Sequence, residues 1–412
     1  MQKFEKHSPV VVTEVTTKHE LRQFMQYPNR LYADNPNYIP SFYGDDLSDW
    51  TPGKNPAFDY CEARCWLARR DGEIVGRIGA ILSHKANDKF GTHRMRFSQV
   101  DFVDDSEVSA ALFGTVERWA REKGCDQVHG PLGFTDMDRE GMLVEGFDRR
   151  SLFFTNYNAP YYLEHLTRLG YRKDVDWIEY RITVPEPGGA EAERLHKLSE
   201  FILKRKHLHV ATVHHKSEYG PFVRQVFELV NAAYAPLYGV VELSDEQIER
   251  YANKFIPLVD PDFVCFVVDE QDQLVAFGVT ALDPSVALKH SDGRLFPFGW
   301  AEVLNDLHHG DTLIMLLTAV RPDLQTEGIN AVMMDHVCQS CNRHGVQFAE
   351  TGPMLELNDH ILAQWKRLEK EQHKRRRCFI KDLDHGINAA NAAAAQAEAP
   401  APEQTPAAES AE

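Results

Sequence analysis
The chain has 412 residues, a composition ordinary for a globular protein and a net charge of −17 at neutral pH. That length supports about two domains with separate cores, and the acidic balance excludes general nucleic-acid binding, because a phosphate backbone would be repelled. No apolar run approaches the roughly 20 residues that span a bilayer, residues 1–7 lack a signal-peptide core, and seven scattered cysteines read as reduced thiols of a cytosolic protein.

In chain order, residues 1–59 are rich in Tyr, Pro and Asn, with 41–50 a loop or short helix. Residues 65–69 and 74–81 flank the turn Arg70-Asp71-Gly72 and predict a hairpin; 94–103 predicts a third strand. Leu112, Val116, Trp119 and Ala120 share one face of a helix over 108–123, stopped by Gly124. A strand over 126–134, a polar loop, a short helix over 161–169 and a strand over 175–184 complete a first unit. Residues 185–190 read as a linker.

The order then repeats. A helix over 192–206 fits either side of the linker. A strand over 209–214, helices over 222–234 and 245–255, and a hairpin over 263–269 and 274–282 follow. Gly124 and Gly345 lie 221 residues apart and Gly130-Pro131 and Gly352-Pro353 lie 222 apart, but Val75 and Val275 only 200, so an insertion is expected at 284–310. Residues 388–412 carry no bulky apolar side chain and are expected to be disordered. The expected units are 1–187, 188–386 and a tail over 387–412.

The most informative stretch is 312–331. The apolar run 313–320 has the length of a buried strand. A polar turn with Pro322, Asp323 and Gly328 follows, and then Ile329, Val332, Met333, His336 and Val337 recur at helical spacing. Glycine lets a ligand approach the backbone, and the first N–H groups of a helix attract an anion such as a phosphate.

This second half resembles the GNAT acyltransferase superfamily, which has a mixed sheet with a splayed central strand pair. Gln325-Thr326-Glu327-Gly328-Ile329-Asn330 resembles the family's pyrophosphate loop, with Asn330 where Gly or Ala is usual. Asn358 followed seven residues later by Trp365 keeps the spacing of a second signature, but the family has tyrosine where Trp365 stands. That tyrosine often protonates the leaving thiolate, which an indole cannot do. The strand over 313–320 also lacks the family's frequent glutamate base. The resemblance implies an α+β fold with a mixed α/β sheet, in two tandem GNAT-like domains. It implies acetyl-CoA or another acyl-CoA bound by Ala319, Val320, Gln325, Thr326, Glu327, Gly328, Ile329, Asn330, Ala331, Asn358 and Trp365. The first half is similar to a degenerate copy: an offset of 221 puts Asp104, Glu107 and Ser109 where Gln325, Gly328 and Asn330 stand, so carboxylates would repel a pyrophosphate. The stretch 130–147 is similar to one in bacterial double-GNAT proteins of unassigned function.

Residues 130–148 gather Asp136, Asp138, Arg139, Glu140 and Glu145 between glycines. Such carboxylates hold an amine, or serve as base where burial raises a pKa; the other reading is a solvated loop of local ion pairs. Asp136 and Glu140 are the chosen base or amine contacts. Glu350, at the end of the strand after the CoA helix, is a further base candidate. The basic run from Lys366 to Arg377 reads as a contact for the CoA 3′-phosphate or as a solvated helix face. Cys338 and Cys341 lie mid-helix without a second ligand pair, so helix packing is expected and no metal. The expected activity is transfer of an acyl, most simply acetyl, group from CoA to a small amine or amino-acid-like acceptor. The alternative is a non-catalytic acyl-CoA-binding or scaffold protein.

Overall fold
The computed structural model describes residues 8–384, and the predicted tail over 387–412 lies outside the described residues. The first half runs β1 (Val11–Glu14), α1 (Lys18–Leu31), α2 (Tyr43–Asp49), β2 (Cys61–Arg70), β3 (Glu73–Ser83), α3 (His84–Phe90), β4 (Arg94–Phe102), α4 (Ser106–Glu122), β5 (Gln127–Gly130), β6 (Met142–Glu145), α5 (Tyr161–Arg168) and β7 (Arg172–Thr183). The second half runs α6 (Ala190–Lys206), β8 (His209–Val210), α7 (Gly220–Tyr234), α8 (Asp245–Phe255), β9 (Val264–Val268), β10 (Leu274–Leu282), α9 (Ser285–His290), α10 (Gly299–His309), β11 (Thr312–Val320), α11 (Asn330–His344), β12 (Phe348–Glu350), β13 (Met354–Leu355), α12 (Asp359–Ala363) and β14 (Lys370–Asp382).

The mixed α/β architecture agrees with the sequence reading, with local exceptions. Helix α1 was not expected; it starts on a capping box, Thr17 accepting from the Glu20 amide while the Glu20 carboxylate accepts from Thr17. The strand expected over 126–134 stops at Gly130, because Pro131 has no N–H for a ladder. The strand expected over 209–214 is two residues long. The expected insertion is the helix pair α9 and α10.

One sheet carries both halves, in the order β1-β2-β3-β4-β5-β14-β7-β12-β11-β10-β9-β8, with β6 on β14 and β13 on β7. The last strand of each half sits beside the other half: β14 pairs with β5, and β7 pairs with β12. The two then pair with each other along Lys370–Ile380 and Ile182–Arg172. Apolar clusters lie on the faces, one around Phe97, Leu112 and Tyr162, others around Val332 and Leu313 and around Phe227 and Phe266.

This exchange explains the basic run. Residues 370–377 are strand, not helix, and Lys374 and Arg376 are fully buried. Glu179 on β7 meets both, with Arg376 Nε at 2.5 Å and Lys374 Nζ at 3.2 Å. Lys374 also bonds the Arg150 carbonyl at 2.9 Å and Glu350 at 3.2 Å. Burial pushes Glu179 up, but Arg376 and Lys374 outweigh it and hold the carboxyl below its usual range. Asp176 likewise takes Arg375 and Arg377. The seam of the protein is therefore ionic, and its charges are paired as buried charges must be.

Candidate active site
Strand β11 builds the site. Its parallel pairing with β12 covers only Thr312–Ile314 against Phe348–Glu350, so the two strands part beyond Ile314. On the other side the β10 register skips between Val279 opposite Leu317 and Thr280 opposite Met315, which bulges β11 at Leu316. A bulge re-aims backbone groups, and this one lies beside the point where the strands part.

A turn at Pro322–Leu324 then leads into α11. Gly328 sits at φ +81°, a left-handed conformation suited to glycine. Helix α11 begins with no side chain capping it; the Ala331 and Val332 amides close onto the Gly328 and Ile329 carbonyls at 2.9 Å, at the positive end of the dipole. Gln325 reaches back to the Val320 carbonyl at 3.3 Å, while Ala319, Val320 and Ile329 are buried beneath the turn. Glu327 is paired with Lys206 at 2.6 Å, in the last turn of α6, where Lys204 and Arg205 also stand. Those cations escaped the sequence reading, since only the fold brings α6 to the loop.

Two cavities meet at the bulged strand. An apolar one of about 720 Å³, counting its mouth, runs along α11 from Asn330 past Met333 and Val337 to Cys338 and Cys341. A more polar cleft of about 890 Å³ is bounded by Asp136, Glu140, Trp177, Tyr234 and Tyr238 on one side and by Thr351–Leu355 and Asn358 on the other. Met315, Leu317, Thr318, Gln364 and Trp365 belong to both walls. Asn358 caps α12, accepting from the Ile361 amide at 3.2 Å, and the Trp365 indole donates to Met354 Sδ at 3.1 Å.

The carboxylates enter the cleft on a loop that is tied down. Leu132 N donates to Phe97 O at 3.0 Å and Gly141 N to Pro131 O at 2.8 Å. Asp138 turns inward to accept from the Phe134 and Thr135 amides at 2.8 and 3.2 Å. Arg96 holds the Gly133 carbonyl at 2.8 Å and the Gly239 carbonyl at 3.0 Å, joining this loop to the second half. At Gly146, φ is +86° and a Cβ would stand 2.2 Å from His373 O, so only glycine lets the loop return against β14.

Asp136 Oδ1 and Glu140 Oε1 are buried and lack hydrogen-bond partners. Burial pushes Asp136 up to about 6, with the charge of Asp138 adding to the effect. Burial, and then the charge of Asp136, pushes Glu140 well above the usual carboxylate range. The charge of Asp136 thus adds to burial in opposing ionisation of Glu140. Tyr234 Oη donates to the Thr318 carbonyl at 2.8 Å, and burial pushes its phenol up to about 12. The Tyr238 ring lines the cleft, but its hydroxyl points away toward Asp174 and, at 3.0 Å, His129 Nδ1. Residues 234–240, with two tyrosines around a Pro and a Gly, were the overlooked signal in the sequence.

Glu350 is placed differently. Its carboxylate is bound to Lys374 in the seam, and it lines neither cavity; burial raises it, and Lys374 opposes the shift. In the first half, the place corresponding to the α11 loop is filled by the chain itself. Asp105 caps α4, accepting from the Glu107 and Val108 amides, and Arg70 binds both Asp105 and Glu107 at 2.5 and 2.7 Å.

Bulged and splayed strand, uncapped helix and paired halves define the tandem GNAT fold, and the chain has that fold. A solved tandem GNAT protein from the clavulanic acid biosynthesis pathway is similar over 91% of this chain and 99% of its own, with a TM-score of 0.51 and 13% identity. By sequence, Protein YghO of Escherichia coli is 27% identical over 379 residues, 90% of this chain and 95% of that protein. The Bacterial ceramide synthase of Caulobacter vibrioides is 28% identical over 300 residues, 71% of this chain and 75% of that protein. No family model matches the chain.

Proposed function
We propose that the protein is an acyl-CoA-dependent N-acyltransferase whose donor lies on the second half alone and whose acceptor amine meets carboxylates from the first. The observation that carries this reading is the pair Asp136 and Glu140, each with a buried, unpartnered carboxylate oxygen, in a cleft that touches the donor cavity at the bulge of β11. In this reading the amides of Gly328, Ile329 and Asn330 receive the pyrophosphate, with Lys206 and Arg205 beside them. Asp136 takes the proton of the entering ammonium group, and Glu140 holds the proton that keeps the pair singly charged. The amine nitrogen bonds to the thioester carbon, whose oxygen is polarised by β11 amides, and the C–S bond breaks. Trp365 cannot protonate the thiolate; Tyr234 is the hydroxyl in the cleft that can.

The donor cavity favours a chain longer than acetyl. From Asn330 to Cys341 it follows α11 for about 16 Å, at 1.5 Å per residue, and its walls are almost wholly apolar. The ceramide synthase relative is named for an N-acylated lipid, which agrees with a hydrocarbon donor and a lipid-like amine. A test measures melting temperature and free thiol separately with acetyl-CoA and palmitoyl-CoA, across a panel of amines. Palmitoyl-CoA is expected to stabilise more at equal concentration; saturation at 100 times Kd adds about 2.7 kcal/mol. Thiol release should require an amine. Stabilisation without release supports the non-catalytic acyl-CoA-binding protein, the reading that Trp365 favours. No stabilisation by either thioester removes both.

Gly328→Asp is a sharper check on the loop. It adds a carboxylate at the helix start, in a backbone conformation that side chains rarely adopt. Acyl-CoA affinity is expected to fall at least about 100-fold, more than 2.7 kcal/mol, while the circular dichroism spectrum is retained. Unchanged affinity would mean that the nucleotide lies elsewhere.

A further inference from the structure
The helix pair α9–α10 carries an aromatic tip that nothing in the cleft explains. Phe296 and Phe298 are 80% and 77% exposed, and Trp300, Val286 and Leu304 stand exposed beside them. We propose that this tip, Phe296-Pro297-Phe298-Gly299-Trp300, inserts into the interfacial layer of a lipid bilayer and holds the protein at a membrane surface.

The tip is built rather than loose. Gly293 N donates to Leu288 O, Arg294 N to Ser291 O, Trp300 N to Leu295 O and Ala301 N to Phe298 O, all at 2.8–3.0 Å. Pro297 has no N–H, and the Trp300 indole donates to the Pro297 carbonyl at 3.2 Å. A Cβ on Gly299 would stand 2.1 Å from Arg294 O, so the turn is closed tightly. The first half braces it, with Tyr43 N on Gly293 O at 2.9 Å and Asn29 Nδ2 on Asp292 O at 3.1 Å. These four amides are satisfied within the loop, which lowers the cost of meeting an apolar medium.

Charge points the same way. Residues 291–301 hold one cation, Arg294, and one acid, Asp292, so the tip is neutral in a chain whose net charge is −17. A neutral, aromatic tip is a part of this acidic chain that anionic headgroups do not repel. Area argues against a second copy of the chain. At roughly 150–250 Å² each, three aromatic side chains offer about 600 Å², under the roughly 800 Å² per partner of a stable protein interface. The inference is independent of the proposed chemistry, and its test needs no turnover.

The full chain should co-sediment with vesicles of phosphatidylcholine and phosphatidylglycerol in equal parts. The double variant Phe296→Ser, Phe298→Ser should bind at least about tenfold less, as expected for losing two buried phenyl groups. Because both side chains are exposed, its urea midpoint should stay at the wild-type value. Phe201→Ser, which removes an exposed phenyl from α6, should leave vesicle binding unchanged. Wild-type protein that ignores the vesicles overturns the proposal. So does a wild-type dimer on size exclusion that the double variant dissolves, with no vesicle binding, since the tip is then a protein interface. Equal loss on Phe201→Ser would also overturn it, by showing that binding is not local to the tip.

Discussion

Asp136→Asn should lower amine-dependent thiol release by about 10²–10⁴-fold, the usual contribution of a positioned base, while acyl-CoA affinity stays within twofold of wild type, about 0.4 kcal/mol. The asparagine keeps the shape and loses the proton acceptor. In the wild-type protein the rate of thiol release should rise with pH as Asp136 loses its proton near 6. The same substitution should stabilise the fold. The folded-state pKa of Asp136 lies above the ordinary 3.8, so the native state holds its proton longer than the unfolded chain does. Stability from this group is therefore full at low pH and is lost as pH rises from about 4 to about 6. At neutral pH, removing the charge should raise stability by on the order of 2 kcal/mol, read as a shifted urea midpoint. Glu140→Gln should move stability in the same direction, because its pKa is also raised by burial. If Asp136→Asn retains wild-type turnover and loses stability, the loop is a structural knot and the base lies elsewhere.

Glu179→Gln should destabilise the protein by about 3–5 kcal/mol, the cost of leaving a buried charge without its partner. Glu179, Glu350, Lys374 and Arg376 are together neutral; removing Glu179 leaves two cations sharing one carboxylate in the seam. The double variant Glu179→Gln, Arg376→Met restores neutrality and should recover most of the loss, though not the bond from Arg376 to the Asn156 carbonyl. Since Glu179 is held below its ordinary range, its contribution is present above the unfolded pKa and disappears as pH falls through the lower folded value. Urea unfolding of the two variants at neutral pH measures the difference. A single variant within about 1 kcal/mol of wild type, the range of an exposed pair, would show that water reaches the seam. The expected result would make the strand exchange a condition of stability, because these charges lie on β7, β12 and β14.

Periodicity and turn chemistry made most of the helices and hairpins legible. The apolar run, Gly328 and the helical spacing after it placed the strand, turn and helix of residues 312–344 in the right order. Asp136 and Glu140 were legible as chemistry, acids crowded between glycines, but the sequence did not say what they face. Glu350 shows the opposite case: a strand-end carboxylate looked like a base, and Lys374, 24 residues away, takes it into an ion pair. Helix spacing could not reveal that residues 370–377 are strand, since a run dense in lysine and arginine has no apolar period to read.

The sequence by itself determined the repeated order of elements, the strand, turn and helix over 312–344 and the indole at Trp365, because local backbone preference and side-chain chemistry are written residue by residue. Only the tertiary structure decided that β7 and β14 change places, that the acids of one half face the open strand of the other, and that Arg70 closes the start of α4 on Asp105 and Glu107. Those outcomes depend on pairing between segments as many as 250 residues apart. Such pairing is set by which burial and charge partners fit together in space, a quantity no window along the chain contains.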